Sequence, residues 1–156
     1  MSNNYINIYN NLVNLTRNKE LYKYLTKEDT FSDRLLIFLF HFAFFLKAFK
    51  NSSDKKTLQN IFDFIFRHLE VSIREIGYGD ASINKKMKDY INLFHLIINK
   101  IDDWNLINDT EKKKRIKSLL NLNDIDNLSV YFDKYSVELK NNTLNYYIKS
   151  VIKPKN

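Results

Sequence analysis

Apolar residues recur at helical spacing along most of the chain. Tyr5, Ile8, Tyr9, Leu12 and Leu15 share one helical face, and Leu21 with Tyr22 adds a helical turn before a polar break at Thr26 to Asp29. Thr30 or Ser32 then stands where a helix cap is needed, and the body from Leu35 to Leu46 is apolar except for His41, with Arg34 and Lys47 at its borders. A helix that is apolar all round belongs in an interior. This run is about a dozen residues, short of the roughly 20 needed to cross a bilayer. It therefore predicts a central buried helix near 32–50, the alternative being an aromatic edge offered to a membrane or a hydrophobic client.

From Ser53 onward, Leu58, Ile61, Phe62, Ile65, Phe66, Leu69, Ile73 and Ile76 mark an amphipathic helix. Asn60, Asp63, Arg67, Glu70 and Arg74 fill its opposite face, and Gly77 ends it. Ile83, Met87, Tyr90, Ile91, Phe94, Ile98 and Ile101 repeat the pattern, with Asp80 or Ser82 placed to cap the new helix. The two predict a helical hairpin or corner. Beyond Trp104 the signal weakens. Asp109 opens a short basic helix with Ile116, Leu119 and Leu120, and Asp124 or Asn127 starts an aromatic helix through Tyr131, Phe132, Tyr135 and Leu139. Asn141 and Asn142 break that helix, and Leu144, Tyr147, Ile148 and Val151 resume an apolar face. The expectation is an all-α bundle of about six to seven helices, one helical domain over 1–156 with a C-terminal helical extension at 109–152.

Composition sharpens this picture. Two glycines and one proline are too few for the turns of an all-β or α/β chain of 156 residues. A hydrophobic content of 44% supplies a core. The absence of cysteine removes disulfides, thiolate nucleophiles and thiolate metal sites. The first residues show neither a basic segment followed by an apolar one nor an Arg/Ser-rich stretch, so a cytoplasmic chain is expected. The net charge of +7 makes acidic partners plausible: nucleic acid, a ribosome surface or anionic lipid. Lys, Asn and Ile are abundant throughout, however, and basicity reads more readily as background than as a dedicated patch.

Few residue groups suit catalysis. His41, His68 and His95 fall on separate predicted helices without the Glu-x-x-His pairing of helical di-iron sites, so no metal is expected. His41, enclosed by Phe and Leu, reads as a neutral core histidine. Asp102 and Asp103 are adjacent and point apart on a helix, and Glu75 near Asp80 has nothing to select it as acid or base. Gly77-Tyr78-Gly79 is too short for a dinucleotide fingerprint and follows a helix, so it reads as a sharp reversal. Lys112, Lys113, Lys114 and Arg115 lack interleaved aromatics and read as a solvated face. Lys85, Lys86 and Lys88 differ, because they begin a helix whose N-terminus already attracts anions. They are the preferred binding candidate.

The central block resembles the ubiquinol-cytochrome c chaperone family, whose most recognisable stretch reads approximately R-E-M-G-V-G-D before a basic helix start. Here it is Arg74-Glu75-Ile76-Gly77-Tyr78-Gly79-Asp80, followed by Ser82, Ile83, Lys85, Lys86 and Met87. Upstream, Asp29, Thr30, Asp33, Arg34 and His41 match the family's Asp-Thr segment, arginine and Leu-His helix, and Gln59, Phe62, Asp63 and Phe66 also fit. Arg17 and Tyr22 suit its N-terminal segment, so the likeness covers about 5–101. Tyr78 replaces a small aliphatic residue, and Phe94-His95-Leu96-Ile97 stands where the family has aromatic-Tyr-Gly-Arg.

The resemblance implies an assembly factor that acts by binding and not by catalysis, without cofactor or small-molecule substrate. Its client would be newly made cytochrome b or another complex III subunit, held near the ribosome with a small partner protein. It would work in the cytoplasm or its mitochondrial equivalent, at the inner face of the membrane, with peripheral membrane contact as a further expectation. Arg74, Glu75, Gly77, Gly79, Asp80, Lys85, Lys86 and Lys88 would form a polar platform flanked by aromatics, with Asp33, Arg34 and His41 as structural residues. The competing reading is a ribosome- or RNA-associated basic helical protein, which the net charge suggests.

Overall fold

The most apolar stretch of the chain becomes its axis. In the computed structural model, which describes residues 4–22, 31–77, 79–120 and 125–150, α3 (Phe31–Phe49) is buried at every position from Ile37 to Phe45. Its aromatic side chains Phe38, Phe40, Phe42, Phe44, Phe45 and Phe49 are turned into the chain's own core. No helix among the described residues is long and apolar enough to cross a bilayer.

Around this axis lie α1 (Ile6–Thr16), α5 (Asp80–Ile101) and α7 (Ile125–Lys140), each packed on α3. An outer set consists of α4 (Lys55–Glu75) against α5, α6 (Asp109–Lys117) against α7, and α8 (Leu144–Lys149) against α1. The short α2 (Lys19–Tyr22) and a 3-10 turn at Trp104–Leu106 complete the architecture, and no strand occurs among the described residues. Among the described residues eight α-helices are seen, where about six to seven were expected. The short α2 and α8 stand as helices of their own, and Thr143 starts α8 afresh by accepting a bond from the Tyr146 amide at 3.1 Å.

Aromatic side chains connect the layers. Phe42 of α3 stacks on Phe94 of α5 at 5.0 Å, with Phe62 and Phe66 of α4 around the pair. On another side of α3, Phe44 stacks almost parallel to Phe132 of α7 at 5.1 Å and meets Trp104 edge-on. Phe45 and Phe49 close against Tyr147 of α8. Each such contact adds about 0.5–1.5 kcal/mol beyond simple burial. The N-terminal helix is fastened by polar bonds: Asn7 and Asn11 donate to the carbonyls of Ile148 and Ser150, and the Tyr9 hydroxyl bonds Ser72 of α4 at 2.8 Å.

Several helix starts differ from the expected ones by a residue or two. The helix expected from Ser53 starts at Lys55, capped by Asp54, whose carboxylate accepts from the Thr57 amide at 2.6 Å. α6 does open at Asp109, with Asn108 as its N-cap. Ser82 lies inside α5, whose N-cap is Gly79 with no side-chain bond. Asn127 lies within the first turn of α7. Asp29, Thr30, Asp124 and Val151 lie outside the described residues.

Candidate protein-docking corner

The corner between α4 and α5 is built by backbone geometry. Gly77 has φ +109°, a region that L side chains rarely adopt, and its amide closes the helix end by donating to the Arg74 carbonyl at 3.0 Å. Gly79, by contrast, is extended with φ −73° and ψ 162°, and its carbonyl receives the first bond of α5 from the Ile83 amide. A Cβ at either glycine would meet open space. The two glycines are thus not equivalent. Gly77→Ala is expected to cost about 1–2 kcal/mol through backbone strain, and Gly79→Ala to stay within about 0.5 kcal/mol of the parent, as urea titration of the two variants would show.

Side chains of the corner are held to different degrees. Arg74 pairs with Glu70 one turn earlier on α4, at 3.7 Å. Glu75 is exposed. Asp80 is the first residue of α5. Ile83 and Met87 are buried and fix the rotation of α5, which leaves Lys85 and Lys88 exposed and Lys86 half-buried. At 100° per residue Lys85 and Lys88 share an outer face, with Lys86 turned to the flank. The three lysines therefore do not form one patch.

Among the described residues no fully exposed aromatic side chain stands beside this platform. Phe66 and Phe94 are buried in the α3–α4–α5 stack, and Phe62 packs against both. Val71 and Ile76 are the exposed apolar groups here, at 48% and 56%. Periodicity assigned Ile76 to the core face. It escapes because α4 ends at Glu75, so its side chain passes beyond the buried stripe.

His41, Asp33 and Arg34 belong to α3. Asp33 is half-buried in its first turn, Arg34 is exposed, and His41 is fully buried. His41 Nδ1 lies 2.8 Å from the Ile37 carbonyl and Nε2 lies 2.5 Å from the Tyr131 hydroxyl. A carbonyl only accepts, so Nδ1 carries the proton and the tyrosine donates to Nε2. Burial lowers the imidazole pKa to about 4, despite the raising effect of the Ile37 bond. This is the neutral core histidine that its apolar neighbours in sequence predict.

Elsewhere the ionisable residues are drawn into internal pairs. Asp102 reaches Lys50 at 3.2 Å, whereas Asp103 bonds Arg115, so the adjacent carboxylates diverge. The Arg115 guanidinium holds the Asp103 carboxyl below the usual range and also binds Glu111 and the Lys100 carbonyl. Lys112 and the Trp104 indole both donate to Asp133, and Lys113 pairs with Asp126 at 3.0 Å. The 112–115 run is therefore not a bare solvated face: three of its four cations fasten α6 to its neighbours. His41, His68 and His95 stand on three helices, and among the described residues no group of three or more His, Cys, Asp or Glu is arranged to hold a metal ion.

A family model described as ubiquinol-cytochrome C chaperone matches residues 23–110, more than half of the chain. The match includes α3, α4, α5 and the whole corner from Arg74 to Lys88; Arg17 and Tyr22 precede it, and α7 and α8 follow it. Neither a curated protein nor a solved structure matches the chain. On the extent of the family match, this chain belongs to the ubiquinol-cytochrome C chaperone family.

Proposed function

We propose that this chain is a non-enzymatic assembly factor for the cytochrome bc complex, complex III, and that it holds newly made cytochrome b at the α4–α5 corner. The observation that carries the reading is the family match, which spans that corner from end to end. In this reading Arg74, Glu75, Gly77, Gly79, Asp80, Lys85, Lys86 and Lys88 supply the polar groups, with Lys85 and Lys88 on the outer face and Lys86 at its flank, beside the exposed apolar Val71 and Ile76. A rigid turn with charges of both signs sets the orientation of a client segment, and the apolar pair covers part of its hydrophobic surface. Such cover limits aggregation while the client's partner subunits are absent. The work would be done from the aqueous side of the membrane, beside the ribosome and with a small partner protein.

Lys85→Glu with Lys88→Glu tests the corner, since both residues are exposed and share a face. The double variant is expected to keep its circular dichroism melt and to recover about tenfold less cytochrome b by cross-linking, the loss typical of reversed interface charges. Undiminished capture by the folded variant would remove the corner from the account. Tight RNA binding by the purified chain, lost steeply with salt, would favour the RNA-associated reading instead.

A further inference from the structure

α6 is fastened to the body by charge where the other long helices are fastened by burial. α1, α3, α4, α5 and α7 each bury two or more apolar side chains. α6 buries one, Ile116, which is its one apolar residue in nine, and Leu120 is buried just beyond its end. Its apolar anchorage therefore lies at the C-terminal end. From Asp109 to Arg115 it is joined to its neighbours by ionic links: Lys112 to Asp133 at 2.9 Å and Lys113 to Asp126 at 3.0 Å on α7, and Arg115 to Asp103 just beyond α5. On the α5 side an open groove of about 570 Å³ stands where close packing would otherwise be, and Arg115 crosses beside it to the Lys100 carbonyl at 2.9 Å. Trp104 lies beneath this part of α6. The Lys112 ammonium stands over its ring, 5.4 Å from the centroid, and its indole N–H donates at 2.7 Å to the Asp133 oxygen that Lys112 also binds. The ring is 1% exposed and meets Phe44 of α3 edge-on.

We infer that α6 is a charge-latched strap: its part from Asp109 to Arg115 swings off the body about the anchor at Ile116 and Leu120, and so controls access to Trp104. Segments with few buried apolar contacts open at a small fraction of the free energy of global unfolding. Salt separates the two kinds of attachment. It screens pairs between partly exposed groups, and each of the three pairs has at least one such partner. Apolar burial is not screened, so the aromatic layers around α3 stay closed as the latch weakens. Lifting the strap takes Lys112 off the indole while Phe44 still supports the ring from α3. The open form thus bares an aromatic surface that the closed form hides. The inference does not depend on the α4–α5 corner, which shares no residue with the latch.

Trp104 is the chain's one tryptophan, so quenching of its emission by acrylamide, a neutral probe, reports on this site alone. Between about 0.02 M and about 1 M sodium chloride, the quenching constant of the full chain is expected to rise about threefold. Hydrogen exchange, followed by mass spectrometry, is expected to speed up about tenfold in α6, the effect of weakening three partly exposed ion pairs, and to stay unchanged in α3 and α7. Lys113→Gln with Arg115→Gln removes two links without touching the indole and should show the high-salt behaviour already at low salt. Lys112→Met, which keeps the stem and removes the ammonium, should do the same. Circular dichroism melts establish that each variant keeps its helical body, and the salt series on the parent chain needs no variant at all. Salt-independent quenching and α6 exchange in the parent would overturn the inference. So would exchange that accelerates in α6 and α7 together, since the links would then belong to the global fold, or parental behaviour at low salt in both folded variants.

Discussion

Truncation after Asn108 is expected to abolish cooperative folding. The deleted residues contribute Ile116, Leu120, Leu128, Phe132, Tyr135, Leu139 and Tyr147 to the buried cluster. Their loss uncovers Phe40 and Phe44 beneath Phe132, and Phe45 and Phe49 beneath Tyr147. Removal of the Phe132 side chain alone is expected to cost about 3–5 kcal/mol, a large fraction of the roughly 5–15 kcal/mol that separates a folded domain from its unfolded ensemble. Seven buried side chains exceed that margin. The truncated chain should melt without a sharp transition and bind a hydrophobic dye, while Phe132→Ala in the full chain should fold with a lowered midpoint. Trp104 gives an internal readout, since its indole is buried against Phe44 and bonded to Asp133 of α7. A sharp melt and an unshifted Trp104 emission in the truncated chain would mean that α1 to α5 are sufficient alone.

Acidification should destabilise the fold through His41. Its pKa falls from 6.5 to about 4 on folding, chiefly because burial penalises the imidazolium. The unfolded chain therefore binds the extra proton first. The stabilising contribution of the neutral ring is complete above pH 6.5, declines as pH falls toward 4, and levels off below that value. Across this window the loss is about 3 kcal/mol. Protonation also requires Nε2 to donate, which the Tyr131 hydroxyl can accept only by turning its own proton away. His41→Gln cannot take up this proton, so its unfolding free energy should fall with one proton's less slope between pH 6.5 and 4. Urea titrations at several pH values in that range give the slope; equal slopes for parent and variant would show that His41 is not the responsible group.

Features governed by local spacing were legible in the sequence. The unbroken apolar run around His41 located the central helix and the neutral imidazole, because any helix without a polar face must be enclosed. Gly77 marked a reversal through its lack of a Cβ. Features that depend on separation in space were not. Lys112 meets Asp133 across 21 residues and Tyr131 meets His41 across 90, and no periodicity encodes such partners. Phe62, Phe66 and Phe94 were legible as apolar stripe residues, whereas the completion of their stack by Phe42 of α3 was not. Ile76 failed in the opposite direction, its spacing fitting the core stripe while the helix ended one residue earlier. Gly79, and not Asp80 or Ser82, is the N-cap of α5, because an N-cap is defined by backbone angles, which residue type only favours.

Assembly of complex III is the claim on which the functional account rests, and deletion of the gene tests it most directly. Complex III activity and membrane haem b would be measured together, with the terminal oxidase as internal control and re-expression of the chain as rescue. The account predicts selective loss of both, restored by the parent chain, with the oxidase unaffected. Normal complex III activity and normal haem b in the deletion strain would contradict it.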